Sequence, residues 1–245
     1  MPISIVRAAL RIVEDWYVTS LDPNEIDEYT QKTFAPSLGA HPDLLNVYYQ
    51  PGLDKIAGSL VAPDRIQPVS TVQVQIRTPE GVRLPQSEKS MHVDGVACPH
   101  LDPKELRTFT LLIGVLLTEV KHIQDAPLRY LPSAHFSMAE WFRNGWKLGA
   151  SEQVPADIAE SPGIPFLGEP GDAILLHHLI PHGVGTNKTT KPRVMLYFRI
   201  KHEFHNAHLF ESLTDPWLEF PSLRNLSSQA GQSLKRRSSE RHESS

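Results

Sequence analysis

A single cysteine, Cys98, stands in 245 residues. One thiol cannot close an intramolecular disulfide, so burial of apolar surface has to hold the fold, and such sparing use of cysteine suits a reducing compartment. Long apolar runs are also missing. The longest, FTLLIGVLLTEV, falls well short of the roughly 20 residues a bilayer-spanning helix needs. Nor is there an excess of basic charge. With 24 Lys and Arg against 28 Asp and Glu the net charge is −4, which gives no general attraction to nucleic acid or an anionic membrane. The first residues, PISIVRAALRIVEDWY, carry charges throughout and lack the unbroken apolar centre of a signal peptide. These exclusions predict a soluble, cytoplasmic protein with neither a nucleic-acid nor a membrane partner.

What is present is globular: 40% hydrophobic and 21% charged residues, enough for one sizeable core. Ile5, Ala9, Ile12, Val13 and Trp16 recur at helical spacing, opposite Arg7, Arg11, Glu14 and Asp15. Asp22, Pro23 and Glu25 have the form of a helix start and predict a second helix running towards Pro36. LDKIAGSLV predicts a third. The pattern then changes. STVQVQIRT alternates Val72, Val74 and Ile76 with Gln73, Gln75 and Arg77, the signature of a half-buried strand. RTFTLLIGVLLTEV, PLRYLPSAHF, GDAILLHHLIPHG and RVMLYFRIKHE add strands between turn residues, and SMAEWFRNGWK, with Ser137 and Glu140 as a capping box, predicts a helix inside a loop. Helices followed by strands without alternation predict a mainly β domain over residues 1–225, an antiparallel sandwich or barrel. Its helical cover is placed at about 1–65 and its β core at about 70–205. Residues 226–245 have almost no apolar content and are read as a disordered tail. Lys235, Arg236 and Arg237 there read as a solvated run or as a recognition patch.

The chemistry-bearing residues fall in three places. MHVDG puts His92 and Asp94 at i and i+2, on one face if the segment is a strand, where an imidazole and a carboxylate can take adjacent positions on a metal. The same spacing also describes an ordinary polar strand face. GDAILLHHLIPHGVGTN supplies His177, His178 and His182, the last just before a glycine-containing turn; His177 and His178 can equally pack or hydrogen-bond within the strand. Arg193 follows His182 by eleven positions, on the returning strand, where a guanidinium fork can hold a carboxylate.

Taken together, MHVDG, LLIGVLLTEVKHIQDAPLRYLPSAH and GDAILLHHLIPHGVGTNKTTKPRVMLYFRI resemble the phytanoyl-CoA dioxygenase family of Fe(II)/2-oxoglutarate-dependent oxygenases, over about residues 70 to 201. The family's Gly-Ser turn reads Ser133-Ala134 here, a departure in a turn and not at the metal. The resemblance implies a double-stranded β-helix (jelly-roll). It also implies iron ligation by His92, Asp94 and His182, an Arg193 anchor for 2-oxoglutarate, and O2-dependent oxidation of a small-molecule substrate with release of succinate and CO2. It makes His135 structural and His100 a loop residue. Because Asp94 is retained where related halogenases have Gly or Ala, hydroxylation, desaturation or ring formation is expected. Gln73 and Gln75 either face the barrel, contacting 2-oxoglutarate or substrate, or form an exposed polar face. Thr108, Thr110, Leu112 and Gly114 share a strand face; the family's tryptophan near Gly114 is missing, and Thr110 is taken as its substitute against 2-oxoglutarate. Two alternatives stand beside this reading: a cupin-like metal enzyme that does not use 2-oxoglutarate, and a catalytically silent ligand-binding jelly-roll. No concentrated basic run suggests a coenzyme A diphosphate, so the expected substrate is a small or mid-sized apolar natural product.

Overall fold

The computed structural model describes residues 1–22, 24, 35–80, 88–98 and 101–226. Helix α1 (Ile3–Thr19) buries Val6, Ala9 and Val13, with Ile5, Ile12 and Trp16 packed at the margin of the same stripe. The segment predicted to hold a helix between Asp22 and Pro36 lies mostly outside the described residues; Pro36–Leu38 form a 3₁₀ turn. A helix not anticipated from the sequence, α2 (Pro42–Tyr49), starts on proline, and the Asp43 N–H donates to His41 Nδ1 at 3.2 Å. Its eight residues are too few for a clear periodic signal, and burial of Leu44, Val47 and Tyr48 stabilises it. Helix α3 (Leu53–Val61) forms where expected.

Among the described residues eight strands follow: β1 (Gln73–Arg77), β2 (Lys89–His92), β3 (Leu111–Leu116), β4 (Leu128–Tyr130), β5 (Ile164–Pro165), β6 (Ala173–His177), β7 (His182–Val184) and β8 (Arg193–Ile200). They form two four-stranded sheets, ordered β1-β8-β3-β6 and β2-β7-β4-β5, with antiparallel pairing throughout. Alternation gives the larger sheet two different faces. Val74 and Ile76 of β1, Leu111, Ile113 and Val115 of β3, and Val194, Leu196, Phe198 and Ile200 of β8 pack under α1, α2 and α3. Tyr48 of α2 stacks on Phe198 at 5.3 Å. The other face turns inward: Leu112, Leu116, Met195 and Tyr197 meet Leu128 from the smaller sheet. A helical layer therefore covers the outside of one sheet, and the cavity opens between the two.

Three local expectations are corrected. The long run from Arg107 to Val120 is a strand only over Leu111–Leu116. Thr108 and Thr110 instead use their hydroxyls on the C-terminal segment: Thr108 Oγ1 lies 3.0 Å from His205 Nε2, and the His202 N–H donates to Thr110 Oγ1 at 2.7 Å. The loop helix starts earlier than its capping box implies, at His135 and running to Asn144; Ser137 Oγ donates to the Ala134 carbonyl from inside the first turn. Its face of Met138, Ala139 and Phe142 packs with Val93, Val96, Leu179 and Leu213. The C-terminal segment docks through the buried pair of His205 Nδ1 and Glu219 Oε1, 2.7 Å apart. Of the predicted tail, residues 226–245, Leu226 ends a short helical stretch and the rest lies outside the described residues, as does His100.

Candidate metal centre

The three sequence-predicted ligands converge. His92 ends β2 and His182 begins β7, and the two are directly opposite in the antiparallel register. Asp94 lies beyond the strand, in a turn, so strand geometry alone does not place it. Gly95, at φ +81°, turns the chain there, and a side chain at that position would run into the Arg107 backbone at 2.4 Å. Val93 points away into the core beside the loop helix. His92 Nε2 is 3.5 Å from Asp94 Oδ1, and His182 Nε2 is 3.9 Å from Asp94 Oδ2. One ligand atom from each residue falls within 4.8 Å of the others, close enough to bind a metal.

The protonation of the site suits a cation. His92 Nδ1 lies 2.9 Å from the Ser90 carbonyl and His182 Nδ1 lies 3.1 Å from the Ile180 carbonyl. A carbonyl only accepts, so each Nδ1 carries the proton, and each Nε2 presents its lone pair towards Asp94. Burial, reinforced by His92, holds His182 down to about 4. Burial alone would raise the Asp94 carboxyl. Arg199, whose Nη2 is 2.9 Å from Asp94 Oδ2, together with His92 and His182, outweighs it and keeps the group well below the usual carboxylate range. Two imidazoles presenting Nε2 and one carboxylate, with an open cavity beside them, match the donor set of a non-haem Fe(II) facial triad.

The cavity measures about 560 Å3 and contains His92, Asp94, His182, Gln73, Gln75 and Arg193 in its wall. Gln73 and Gln75 therefore face the barrel. Arg193 is held by its Nε, which donates to the Ala126 carbonyl at 2.9 Å, while its buried Nη1 has no partner among the described residues. Directly opposite on β1 is Arg77, also buried, its Nη2 donating to the Val184 carbonyl at 3.1 Å. Burial and the neighbouring Arg193 pull Arg77 down to about 9, which leaves it cationic at neutral pH. Two adjacent buried guanidinium groups, one with an unpartnered N–H, call for an anion. Asn187 shapes the hairpin that returns Arg193 to this position, donating to the Arg77 and Lys191 carbonyls and accepting from Thr189.

Thr110 is elsewhere. It is fully buried, does not line the cavity, and gives its hydroxyl to the C-terminal segment. The space at Gly114 is explained by a neighbour: a side chain there would meet the Tyr197 ring at 2.9 Å, so a tyrosine on β8 fills the position across the sheet. His178 is buried away from the triad, its ring nitrogens 3.3 Å and 3.1 Å from the Thr110 and Ser212 carbonyls. His177 Nε2 donates to the Pro216 carbonyl at 2.7 Å, and the His135 ring packs between His177 and Trp217. Two further cavity residues, Arg199 and Lys89, were not anticipated from the sequence. Arg199 was legible there, since it lies an even number of residues from Arg193 on β8. Lys89 was not, because a strand irregularity places it.

An antiparallel double-stranded β-helix with a His-Asp-His cluster and a buried arginine in its cavity is the scaffold of non-haem 2-oxoglutarate enzymes. The chain belongs to the phytanoyl-CoA dioxygenase (PhyH) family, whose model matches residues 21–195. Solved structures share the fold at low identity. The epimerase SnoN, in complex with Fe3+, alpha ketoglutarate and nogalamycin RO, has a TM-score of 0.57 at 13% identity, covering 82% of this chain and 75% of that one. HygX from Streptomyces hygroscopicus, with nickel and 2-oxoglutarate bound, has a TM-score of 0.52 at 15% identity, covering 83% and 80%. The nickel complex of the non-heme monooxygenase ThoJ has a TM-score of 0.53 at 17% identity, covering 82% and 70%. No curated protein sequence matches the chain. No helix among the described residues is long and apolar enough to cross a membrane.

Proposed function

We propose that this protein is an Fe(II)/2-oxoglutarate-dependent dioxygenase that hydroxylates a small organic substrate. In this reading His92, Asp94 and His182 hold the iron and Arg193 holds the distal carboxylate of 2-oxoglutarate. The observation that carries it is the pairing, in one cavity, of a His-Asp-His donor set with a buried guanidinium whose Nη1 has no partner among the described residues. When bound, iron with 2-oxoglutarate and O2 supplies the oxidising power, releasing succinate and CO2. The chain's own residues do the rest. Ser90 and Ile180 lock the two imidazoles in the tautomer that leaves Nε2 free. Arg199 keeps Asp94 ionised and oriented. The apolar wall around Leu112, Leu128 and Tyr197 offers contact surface for the carbon skeleton of the substrate. In this reading Gln75, which lines the cavity opposite Met195, orients 2-oxoglutarate or substrate. Retention of Asp94 leaves no ligand position for a halide, which favours hydroxylation over halogenation.

The test is calorimetric. The purified protein should bind one Ni(II), and then 2-oxoglutarate in a metal-dependent manner. Arg193→Ala should weaken the second step about a hundredfold or more, since losing one partner of a buried charge pair costs about 2–5 kcal/mol, while leaving Ni(II) binding intact. Arg193→Lys keeps the charge and loses the fork, and should fall between. Unchanged 2-oxoglutarate affinity in a folded Arg193→Ala protein would return the site to a metal enzyme that does not use 2-oxoglutarate.

A further inference from the structure

We propose that the substrate of this cavity carries a carboxylate on an apolar body, and that Lys89 is the side chain that receives it. The inference rests on the oxygenase reading above and extends it to the substrate class.

The register of β2 on β7 is uneven. Lys89 pairs with Val184 and His92 with His182, so three steps along β2 match two along β7, and the ladder is irregular between them. On a regular strand, residues three apart point to opposite faces. The extra residue is a bulge, a device that re-aims side chains beside active sites. Here it turns Lys89 into the same cavity that His92 lines.

The charges of that wall are one-sided. Four cations line it, Lys89, Arg107, Arg193 and Arg199, and among the described residues Asp94 is the only acid there. Arg199 is paired with Asp94 at 2.9 Å and Arg107 with Glu105 at 2.7 Å. The Lys89 ammonium makes no hydrogen bond or ion pair to any described residue. Its burial disfavours the ammonium form and lowers its pKa, with Asp94 acting in the opposite sense. A half-buried ammonium of this kind is costly unless something pairs with it. A divalent metal, a dianionic 2-oxoglutarate, Asp94 and Arg193 cancel one another in formal charge. Lys89 and Arg199 are then left in excess, so the loaded cavity favours an anion. The group left without a partner among the described residues is one compact ammonium, a point charge of a single sign that one monoanionic carboxylate matches. Val72, Leu101, Leu112 and Leu128 supply apolar wall for the rest of the molecule.

The experiment uses the full chain loaded with Ni(II) and saturating 2-oxoglutarate, so that Arg193 is occupied before any probe is added. The probes are 3-phenylpropanoate and 5-phenylpentanoate, each against its uncharged amide, titrated by calorimetry. At least one acid should bind about tenfold or more tighter than its amide, the range for a hydrogen bond to a charged group. Lys89→Gln should erase that preference and Lys89→Arg should retain it, with Ni(II) and 2-oxoglutarate affinities matching the wild type in both. Equal binding of acid and amide, no binding of either acid, or a preference that survives Lys89→Gln overturns the proposal. So does loss of 2-oxoglutarate binding in Lys89→Gln, which would assign the lysine to the co-substrate. Failure of the wild type to take up Ni(II) and 2-oxoglutarate shows at the loading step and overturns the oxygenase reading together with this one.

Discussion

His92 and His182 solve the same problem in the same way, each donating its Nδ1 proton to the carbonyl two residues earlier. That local bond decides which nitrogen faces the cavity, and it needs no distant partner. His178 has the same chemistry and a different environment: both ring nitrogens lie against backbone carbonyls, those of Thr110 and Ser212. His182→Ala should therefore lose stoichiometric Ni(II) in metal analysis of the dialysed protein. His178→Ala should keep one equivalent and lose thermal stability instead, because a buried carbonyl loses its donor. If His178→Ala strips the metal while His182→Ala retains it, the ligand assignment is wrong.

At the scale of elements, β8 organises the molecule. Its even-spaced residues Arg193, Tyr197 and Arg199 line the cavity, and Val194, Leu196, Phe198 and Ile200 anchor the helical layer. Tyr197 can lie flat on the sheet only because β3 offers Gly114 opposite it. Gly114→Val should drive a side chain into the Tyr197 ring and lower the unfolding free energy by about 1–3 kcal/mol, the usual cost of overpacking, as read by urea denaturation. Tyr197→Ala in the same chain should recover part of that loss. Gly185 is the control, because a methyl group there would meet nothing within 4 Å: Gly185→Ala should leave the denaturation midpoint nearly unchanged. Equal effects at the two glycines would show that backbone freedom, and not the Tyr197 contact, is what Gly114 provides.

The whole molecule carries an acid sensitivity written in its buried histidines. Burial holds His178 and His182 down to about 4, and holds His177 well below its ordinary value. In the unfolded chain these imidazoles titrate near 6.5. Between about 6.5 and 4 the unfolded state therefore binds protons the folded state refuses, and stability falls as pH falls through that window. For His178 and His182 a shift of this size is worth about 3 kcal/mol each. The metal-free protein should show a steep drop in melting temperature from pH 7 to pH 5, and His178→Asn should flatten it. A melting temperature independent of pH over that range would mean these rings are not held neutral by the fold.

The sequence alone determined the parts that depend on period and on order along the chain. Alternation in STVQVQIRT and RVMLYFRI marked strands and their faces; the order of MHVDG, His182 and Arg193 carried the family resemblance; and a single cysteine left no intramolecular disulfide, so burial of apolar surface is the source of stability. What it left undecided depends on contacts between distant segments. Thr110 shares the strand-face parity of Leu112, yet the C-terminal segment captures its hydroxyl. Ser137 and Glu140 spell a capping box, yet packing of Met138 and Phe142 starts the helix at His135. No basic run gathers these charges in the sequence, yet Lys89, Arg107, Arg193 and Arg199 meet in one cavity. Local pattern reports which face of an element is apolar. Only tertiary structure, through register, a bulge and the folding of β8 against β1 and β3, decides which charges end up facing one another without water between them.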